Sequence, residues 1–275
     1  MFTLNCNGRL VMVDKPLVMG IINVTPDSFY VGSRVNELDN LLIRAEKMLI
    51  EGATFLDIGA QSTRPGSTQV GVDEELERLV GFIPAIHKKF PAAIISVDTY
   101  HARVAAEAVA AGAAMVNDIS GGNADPNMLA TVGKLQVPYV CMHNHGTPKT
   151  MHQRTDYDDI ILDIIDYFIL RLRLCYEAGI NDIIIDPGFG FSKNSAQNMK
   201  LLSNLELLTM LGKPILAGIS RKSTIYKTLG VTAAEALNGS TVLNTICLVK
   251  GASILRVHDV KEAVEAVTLV AALGV

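Results

Sequence analysis

The stretch "SILRVHDV", residues 253–260, is an aliphatic run that carries Arg256 and His258 two positions apart. Side chains alternate along a β-strand, so Leu255 and Val257 share one face while Ile254, Arg256 and His258 share the other. A guanidinium and an imidazole on one face near the end of such a run need a polar place to point. Working back along the chain, seven similar runs precede it: "PLVMGIINV" (16–24), "TFLDIGA" (54–60), "AIISVDT" (93–99), "MVNDIS" (115–120), "PYVCMH" (138–143), "DIIIDPG" (182–188) and "PILAGIS" (214–220). Most are followed by a segment of helical period, among them "NLLIRAEKMLIEG", "EELERLVGFIPAIHKKF", "HARVAAEAVAAG" and "YDDIILDIIDYFILRLRLCYEAG". Several of these helices end in Gly just before the next strand, an expected C-terminal stop. Near-continuous apolar strands alternating with helices imply a parallel sheet covered by helices. Eight units in about 250 residues predict a (β/α)8 TIM barrel, one domain over residues 1–275. A short β-hairpin precedes it in "TLNCNGRLVMV", turning at Asn7-Gly8. An open doubly wound sheet is the competitor, but no G-x-G-x-x-G follows the first strand.

Composition removes other classes. The chain has 275 residues, 49% hydrophobic and 19% charged, with a formal net charge of -4 and no basic cluster. That balance predicts no nucleic-acid partner, which would require Lys and Arg gathered on one face. Apolar runs are strand-sized and broken by Gly or charge, so no membrane span is expected. The start, "MFTLNCNGRL", lacks a charged region followed by a long apolar stretch, and no signal peptide is expected. Cys6, Cys141, Cys175 and Cys247 are far apart, fitting neither zinc spacing nor a disulfide framework. They read as buried thiols of a cytoplasmic protein.

A barrel of this kind carries its site at the C-terminal ends of the strands. The polar residues fall there: Asn23; Ser62, Thr63 and Arg64; Asp98; Asn117 and Asp118; His143 and His145; Asp186; Arg221 and Lys222; Arg256 and His258. Arg64, Lys222, Arg256 and His258 are donors suited to phosphate oxygens. Asp98 and Asp186 are acceptors which, with Asn117, suit a heterocycle edge rich in N–H groups. Each has a plainer reading. Asp98 or Asp186 could cap a helix or join a structural ion pair. Arg221 and Lys222 could form a solvated loop pair, and His258 could be a structural histidine. His143 and His145 are metal-ligand types without a third partner nearby, and the Asp-rich strand ends could instead hold magnesium. His87, His101 and His152 read as exposed. Two long loops, "TPDSFYVGSRVNEL" and "QSTRPGSTQVGVDEEL", have the length and turn formers of binding loops, or of plain surface connections.

In order along the chain, "GIINVTPDSF", "STRPG", "SVDT", "VNDISGG", "HNHGTPKTM", "IIDPGFGF", "GISRKS" and "LRVHDV" resemble the signatures of the dihydropteroate synthases. The resemblance covers all eight strands. It implies a TIM barrel, a homodimer, and condensation of 6-hydroxymethyl-7,8-dihydropterin diphosphate with p-aminobenzoate to 7,8-dihydropteroate and pyrophosphate. It also implies sulfonamide competition at the p-aminobenzoate site. It assigns pterin binding to Asp98, Asn117, Asp186 and Lys222, and diphosphate binding to Arg256 and His258. Mg2+ falls to Asn23, the second loop's diphosphate contacts to Thr63 and Arg64, and the p-aminobenzoate carboxylate to Ser223. Phe29, Pro65 and Phe191 would be the apolar walls. Asp98, Lys222, Arg256 and His258 would carry the chemistry, a dissociative C–O cleavage before amine attack.

The chain departs from the family pattern in the loops. Tyr30 and Val31 stand in "DSFYVGS" where D-S-F-S-D-G-G is common. Ala60 and Gln61 stand in "GAQSTRPG" where G-G-E-S-T-R-P-G is common, and Ser192 stands where Gly is common. The alternatives are a pterin-diphosphate-binding homologue of weak activity and a pterin-binding methyltransferase domain. The latter would need no pyrophosphate grip but would need a corrinoid partner.

Overall fold

The computed structural model describes residues 1–24, 34–61, 70–79, 81–146 and 155–274. Strands β1 (Phe2–Cys6) and β2 (Arg9–Val13) form the expected antiparallel hairpin. Asn7 and Gly8 both hold positive φ, 53° and 87°, which matches the twist of a two-residue hairpin. Eight parallel strands follow: β3 (Leu17–Asn23), β4 (Phe55–Gly59), β5 (Ile94–Asp98), β6 (Met115–Asp118), β7 (Tyr139–Met142), β8 (Ile183–Asp186), β9 (Leu216–Ala217) and β10 (Ile254–Val257). Their order in the sheet is β8-β7-β6-β5-β4-β3-β10-β9, and a parallel bridge from Ile185 to Ile215 brings the two ends together. The predicted barrel is present, with every predicted strand in place.

Helices α1 (Arg34–Ile50), α4 (Ala102–Ala110), α5 (Met128–Leu135), α6 (Ile160–Glu177), α7 (Ser195–Ser203), α8 (Ser223–Leu229) and α9 (Leu237–Val249) lie between successive strands, with a 3-10 helix at Leu205–Leu211, and α10 (Val260–Ala272) follows β10. The stretch "EELERLVGFIPAIHKKF" differs from expectation by splitting into α2 (Val72–Leu79) and α3 (Phe82–Lys89). Pro84 explains the break: inside one long helix it would remove a backbone bond, whereas in the first turn of α3 its missing N–H costs nothing.

Alternate side chains of each strand go to two different places. Val18, Leu56, Val97, Val116, Cys141, Ile185, Ala217 and Leu255 pack outward with the helices in the main core. Met19, Phe55, Ile94, Met115, Val140, Ile184, Leu216 and Ile254 fill the barrel axis, joined by Leu4, Cys6 and Val13 of the hairpin. The hairpin therefore plugs the N-terminal end of the barrel, and the backbone N–H of Asn5 donates to Asp182 Oδ2 at 2.6 Å to fix it there. With that end filled by apolar side chains, inward residues further along the strands can be polar, among them Asp57, Ser96, Asp98, Asn117, Asp186 and Arg256.

Leu4→Ala should lower stability by about 2–4 kcal/mol in denaturant unfolding, through lost burial and a cavity under the barrel. A loss below about 0.5 kcal/mol would mean that the plug is dispensable.

Candidate active site

The mouth of the barrel is organised around Arg256. Its Nε donates to Asp57 Oδ2 at 2.7 Å, and its Nη2 lies 2.6 Å from the same oxygen. Nη2 also donates to Asp98 Oδ2 at 2.6 Å. Asp57 is completely buried on β4 and also accepts from the Asn117 amide nitrogen at 3.0 Å. Asp98 and Asn117 face each other in register across β5 and β6. Burial opposes the Arg256 charge, but Asp57 and Asp98 more than offset it and hold the guanidinium firmly protonated. Burial dominates at Asp98, pushing its carboxyl up to about 7 against the pull of Arg256, with Asp57, Glu75 and Asp118 adding repulsion.

Opposite, Asp186 ends β8 and accepts from the backbone N–H of Gly188 at 2.8 Å. Burial raises its carboxyl, with Lys222 opposing. Gly188 holds φ 70°, and a Cβ there would meet the His143 carbonyl oxygen at 2.1 Å, so only Gly fits this turn. Lys222 donates to the Phe189 carbonyl, and its ammonium lies 4.4 Å from the centre of the Phe191 ring. Burial lowers it to about 8, with Asp186 opposing. Gly218 leaves the clearance among these groups. A Cβ built there would stand 3.9 Å from Lys222 Nζ, 3.9 Å from Arg256 Cβ and 4.0 Å from Asp186 Oδ2. Tyr100, Ile119, Met142 and Phe191 form a small apolar cluster at the ends of the neighbouring strands. The floor thus presents acceptors, two cations and an apolar wall, a combination suited to a flat polar ring with an anionic substituent.

His258 lies at the exposed rim beyond Arg256, its Nδ1 3.2 Å from Ser220 Oγ. Burial of its inner edge and the nearby Arg256 push the imidazole down to about 4, so it is neutral at neutral pH. Ser223 opens α8 beside Lys222, partly exposed, and Asn23 is exposed at the end of β3. Phe29, Thr63, Arg64 and Pro65 lie outside the described residues, as do Tyr30, Val31, Ser62 and His152.

Several expected ring members belong elsewhere. Asp118 faces away from the axis, accepting from Tyr139 Oη at 2.7 Å and from the backbone N–H groups of Ser120 and Gly122. Arg221 turns aside to pair with Asp259 at 2.8 Å and to hold the carbonyls of Ala233 and Ala234. His143 is fully buried, with Nδ1 3.0 Å from Lys193 Nζ. Lys193 also donates to the carbonyls of Gly188 and Phe191, and burial lowers it to about 7. It fastens the turn that carries Asp186. No cluster of three or more metal-ligating side chains occurs among the described residues, and of the strand-end acids Asp98 is engaged by Arg256. His101, expected to be exposed, is partly covered and lies 3.9 Å from Glu75.

The sequence reading missed Asp57. Its signal was available: a lone acid in "TFLDIGA", two positions from the inward Phe55 and so pointing along the same axis.

Two family departures now have structural reasons. Gln61 Nε2 donates to the Val70 carbonyl at 2.7 Å and its Oε1 accepts from the Val70 N–H at 3.0 Å. The same nitrogen donates to the buried Glu75 at 2.8 Å. An amide at position 61 satisfies both Val70 and Glu75, where a carboxylate would oppose Glu75. Ser192 holds a left-handed φ of 52°, and its hydroxyl compensates by bonding both the N–H and the carbonyl of His145 at 2.8 and 3.0 Å.

Residues 19–258 match the family described as pterin binding enzyme. The chain belongs to that family. Within it, the chain is 42% identical over 267 residues to the dihydropteroate synthase of Escherichia coli K12, covering 96% of this chain and 94% of that one. Among solved structures it resembles the Yersinia pestis dihydropteroate synthase in complex with a sulfonamide drug, with TM-score 0.92, 42% identity and 99% of each chain covered. It also resembles the Xanthomonas albilineans dihydropteroate synthase bound to 4-aminobenzoic acid, with TM-score 0.91 and 40% identity over 99% of this chain and 98% of that one.

Burial pushes the Glu75 carboxyl up to about 6 from 4.5, against the pull of Gln61, Thr99 and Arg78. A raised folded pKa means the folded state holds the proton more tightly, so this stability contribution is full below about 4.5 and is lost as pH rises through 6. Wild type should therefore lose about 2 kcal/mol relative to Glu75→Gln between pH 4 and 7 in paired denaturant titrations. Parallel pH curves for the two proteins would refute the burial effect.

Proposed function

We propose that this chain is a dihydropteroate synthase, joining 6-hydroxymethyl-7,8-dihydropterin diphosphate to p-aminobenzoate with release of pyrophosphate. The observation that carries this reading is that Arg256 joins two sets of groups: it bonds Asp98, which pairs in register with Asn117, and it stands with Asp186 and Lys222 around the clearance over Gly218. The three acceptors receive the ring N–H groups, and Lys222 donates to a ring oxygen or nitrogen. Met142, Ile119 and Phe191 cover the ring's apolar faces. The diphosphate then extends toward Arg256 and His258.

The C–O bond between the pterin methylene and the diphosphate breaks first, its electron pair leaving with the oxygen. Arg256 stabilises the charge that develops on the leaving group. His258, neutral in the free protein, contributes an N–H when Ser220 donates its hydroxyl to Nδ1. The ring and the neighbouring Asp98 carboxylate stabilise the cation left at the methylene. The p-aminobenzoate amine then forms the C–N bond and gives up a proton to solvent. Ser223 receives the p-aminobenzoate carboxylate beside Phe191; the resemblance gives Phe29 and Pro65 to the walls around its ring and Thr63 and Arg64 to the diphosphate. No protein nucleophile takes part.

Asn23 offers an exposed amide oxygen, and among the described residues no group of three or more acidic, His or Cys side chains adds to it, a donor set that fits Mg2+ with diphosphate oxygens among its other ligands. So bound, Mg2+ would supply further neutralisation of the leaving group. Homodimer formation is supported by exposed apolar side chains on the adjacent helices α8, α9 and α10: Leu229, Val242, Ile246, Val249 and Leu269. Cytoplasmic residence is supported by four free, buried cysteines, and no helix among the described residues is long and apolar enough to cross a membrane. The Gln61 and Ser192 contacts speak against a weakly active homologue, because the altered positions are structurally satisfied.

The test is pyrophosphate release from the pterin diphosphate with Mg2+, which should depend on p-aminobenzoate and yield dihydropteroate. Binding of the pterin diphosphate without product would contradict the assignment. Arg256→Ala should lower kcat/KM by about 1.5–3 kcal/mol, roughly 10- to 150-fold. An unchanged kcat/KM would remove Arg256 from the leaving-group role.

A further inference from the structure

Asp57 lies one layer below the groups assigned to substrate, yet it touches two of them. Its Oδ2 receives Arg256 Nε at 2.7 Å, Arg256 Nη2 at 2.6 Å and Asn117 Nδ2 at 3.0 Å. Its Oδ1 is buried and without a hydrogen-bond partner. Leaving a buried carboxylate oxygen unbonded is costly, and a simple structural ion pair would not require it at the floor of an open mouth.

The geometry points to Asp57 as a positioning residue that sets the donor and acceptor pattern of the mouth. The first part concerns Arg256. A guanidinium has five N–H groups in a rigid fork. Asp57 takes Nε and holds Nη2, whose other bond goes to Asp98. Among the described residues nothing bonds Nη1, so both of its protons are unspent. Asp57 thereby fixes the plane of the fork and directs one edge at the anionic end of a ligand. The second part concerns Asn117. Its amide could present either end to the mouth, but donation from Nδ2 to Asp57 decides the matter. Among the described residues no hydrogen bond reaches Oδ1, which serves as an acceptor beside Asp98. Asp57 therefore selects ligands that carry a ring N–H at that position and an anionic group at the Arg256 edge.

This inference rests on the proposed reaction for its ligand, but its test separates the two. In calorimetry, Asp57→Asn should bind inorganic pyrophosphate at least about tenfold more weakly than wild type, the loss expected when a charged hydrogen-bond partner is removed. In steady-state kinetics its kcat and its KM for the pterin diphosphate should both worsen, while the KM for p-aminobenzoate stays within about twofold. A merely structural role would shift both KM values together or neither. Pyrophosphate affinity and kcat/KM within about threefold of wild type, in a folded variant, would overturn the proposal. If Asp57→Asn does not fold, the wild type answers instead through 15N-labelled arginine, with Arg256 assigned by its absence in Arg256→Lys. The Arg256 Nε–H should be protected from solvent exchange in the free protein and stay protected as pyrophosphate binds. Exchange as fast as that of surface arginines would overturn it. A wild type that binds pyrophosphate in this way but makes no dihydropteroate would overturn the proposed reaction and leave the role of Asp57 standing.

Discussion

The ion pair between Arg256 and the two carboxylates Asp57 and Asp98 is the constraint on which the rest of the mouth depends. Three charged groups in the interior of a barrel would be strongly unfavourable singly. They are tolerable together because one guanidinium spans both acids with short bonds. The barrel supplies the rigidity this needs, since strands β4, β5 and β10 fix the three backbones in register with one another through β3. The hairpin supplies the dry floor: with Leu4, Cys6 and Val13 sealing the N-terminal end, the polar layer faces solvent only at the mouth. Hydrophobic burial below thus makes the electrostatics above strong, because a low local dielectric sharpens each charge–dipole interaction.

The same burial explains the titration pattern. Asp98 and Asp186 are raised, while Lys222 and His258 are lowered. Each group sits nearer its neutral form than it would in water, and a ligand carrying complementary N–H groups and negative charge would draw each toward its charged form. The site is in this sense incomplete until it is filled. Lys193 is lowered by burial as well, to about 7, but its bonds to His143, Gly188 and Phe191 spend it on shaping the turn at Gly188.

Much of this was legible in the sequence because period-2 alternation and strand count are local signals. All eight apolar runs became barrel strands, and the strand-end positions Asp98, Asn117, Asp186, Lys222 and Arg256 do converge. What escaped was decided by parity and by distant partners. Asn117 and Asp118 are adjacent, and only their relation to the inward Met115 shows which one faces the axis. Asp118 instead meets Tyr139 on the next strand. Arg221 was diverted by Asp259, whose position beside it exists only once α8, α9 and β10 are folded together. Asp57 shows its inward direction by parity with Phe55, but its role as the partner of Arg256, 199 residues later, depends on the closed barrel.

The most direct test is a crystal structure of the protein with 6-hydroxymethyl-7,8-dihydropterin diphosphate bound. The account predicts ring N–H groups on Asp98, Asn117 Oδ1 and Asp186, and diphosphate oxygens on Arg256 Nη1, with the Arg256–Asp57 pair intact. A pterin seated outside the Gly218 clearance, or an Arg256 that abandons Asp57 to reach the ligand, would contradict it.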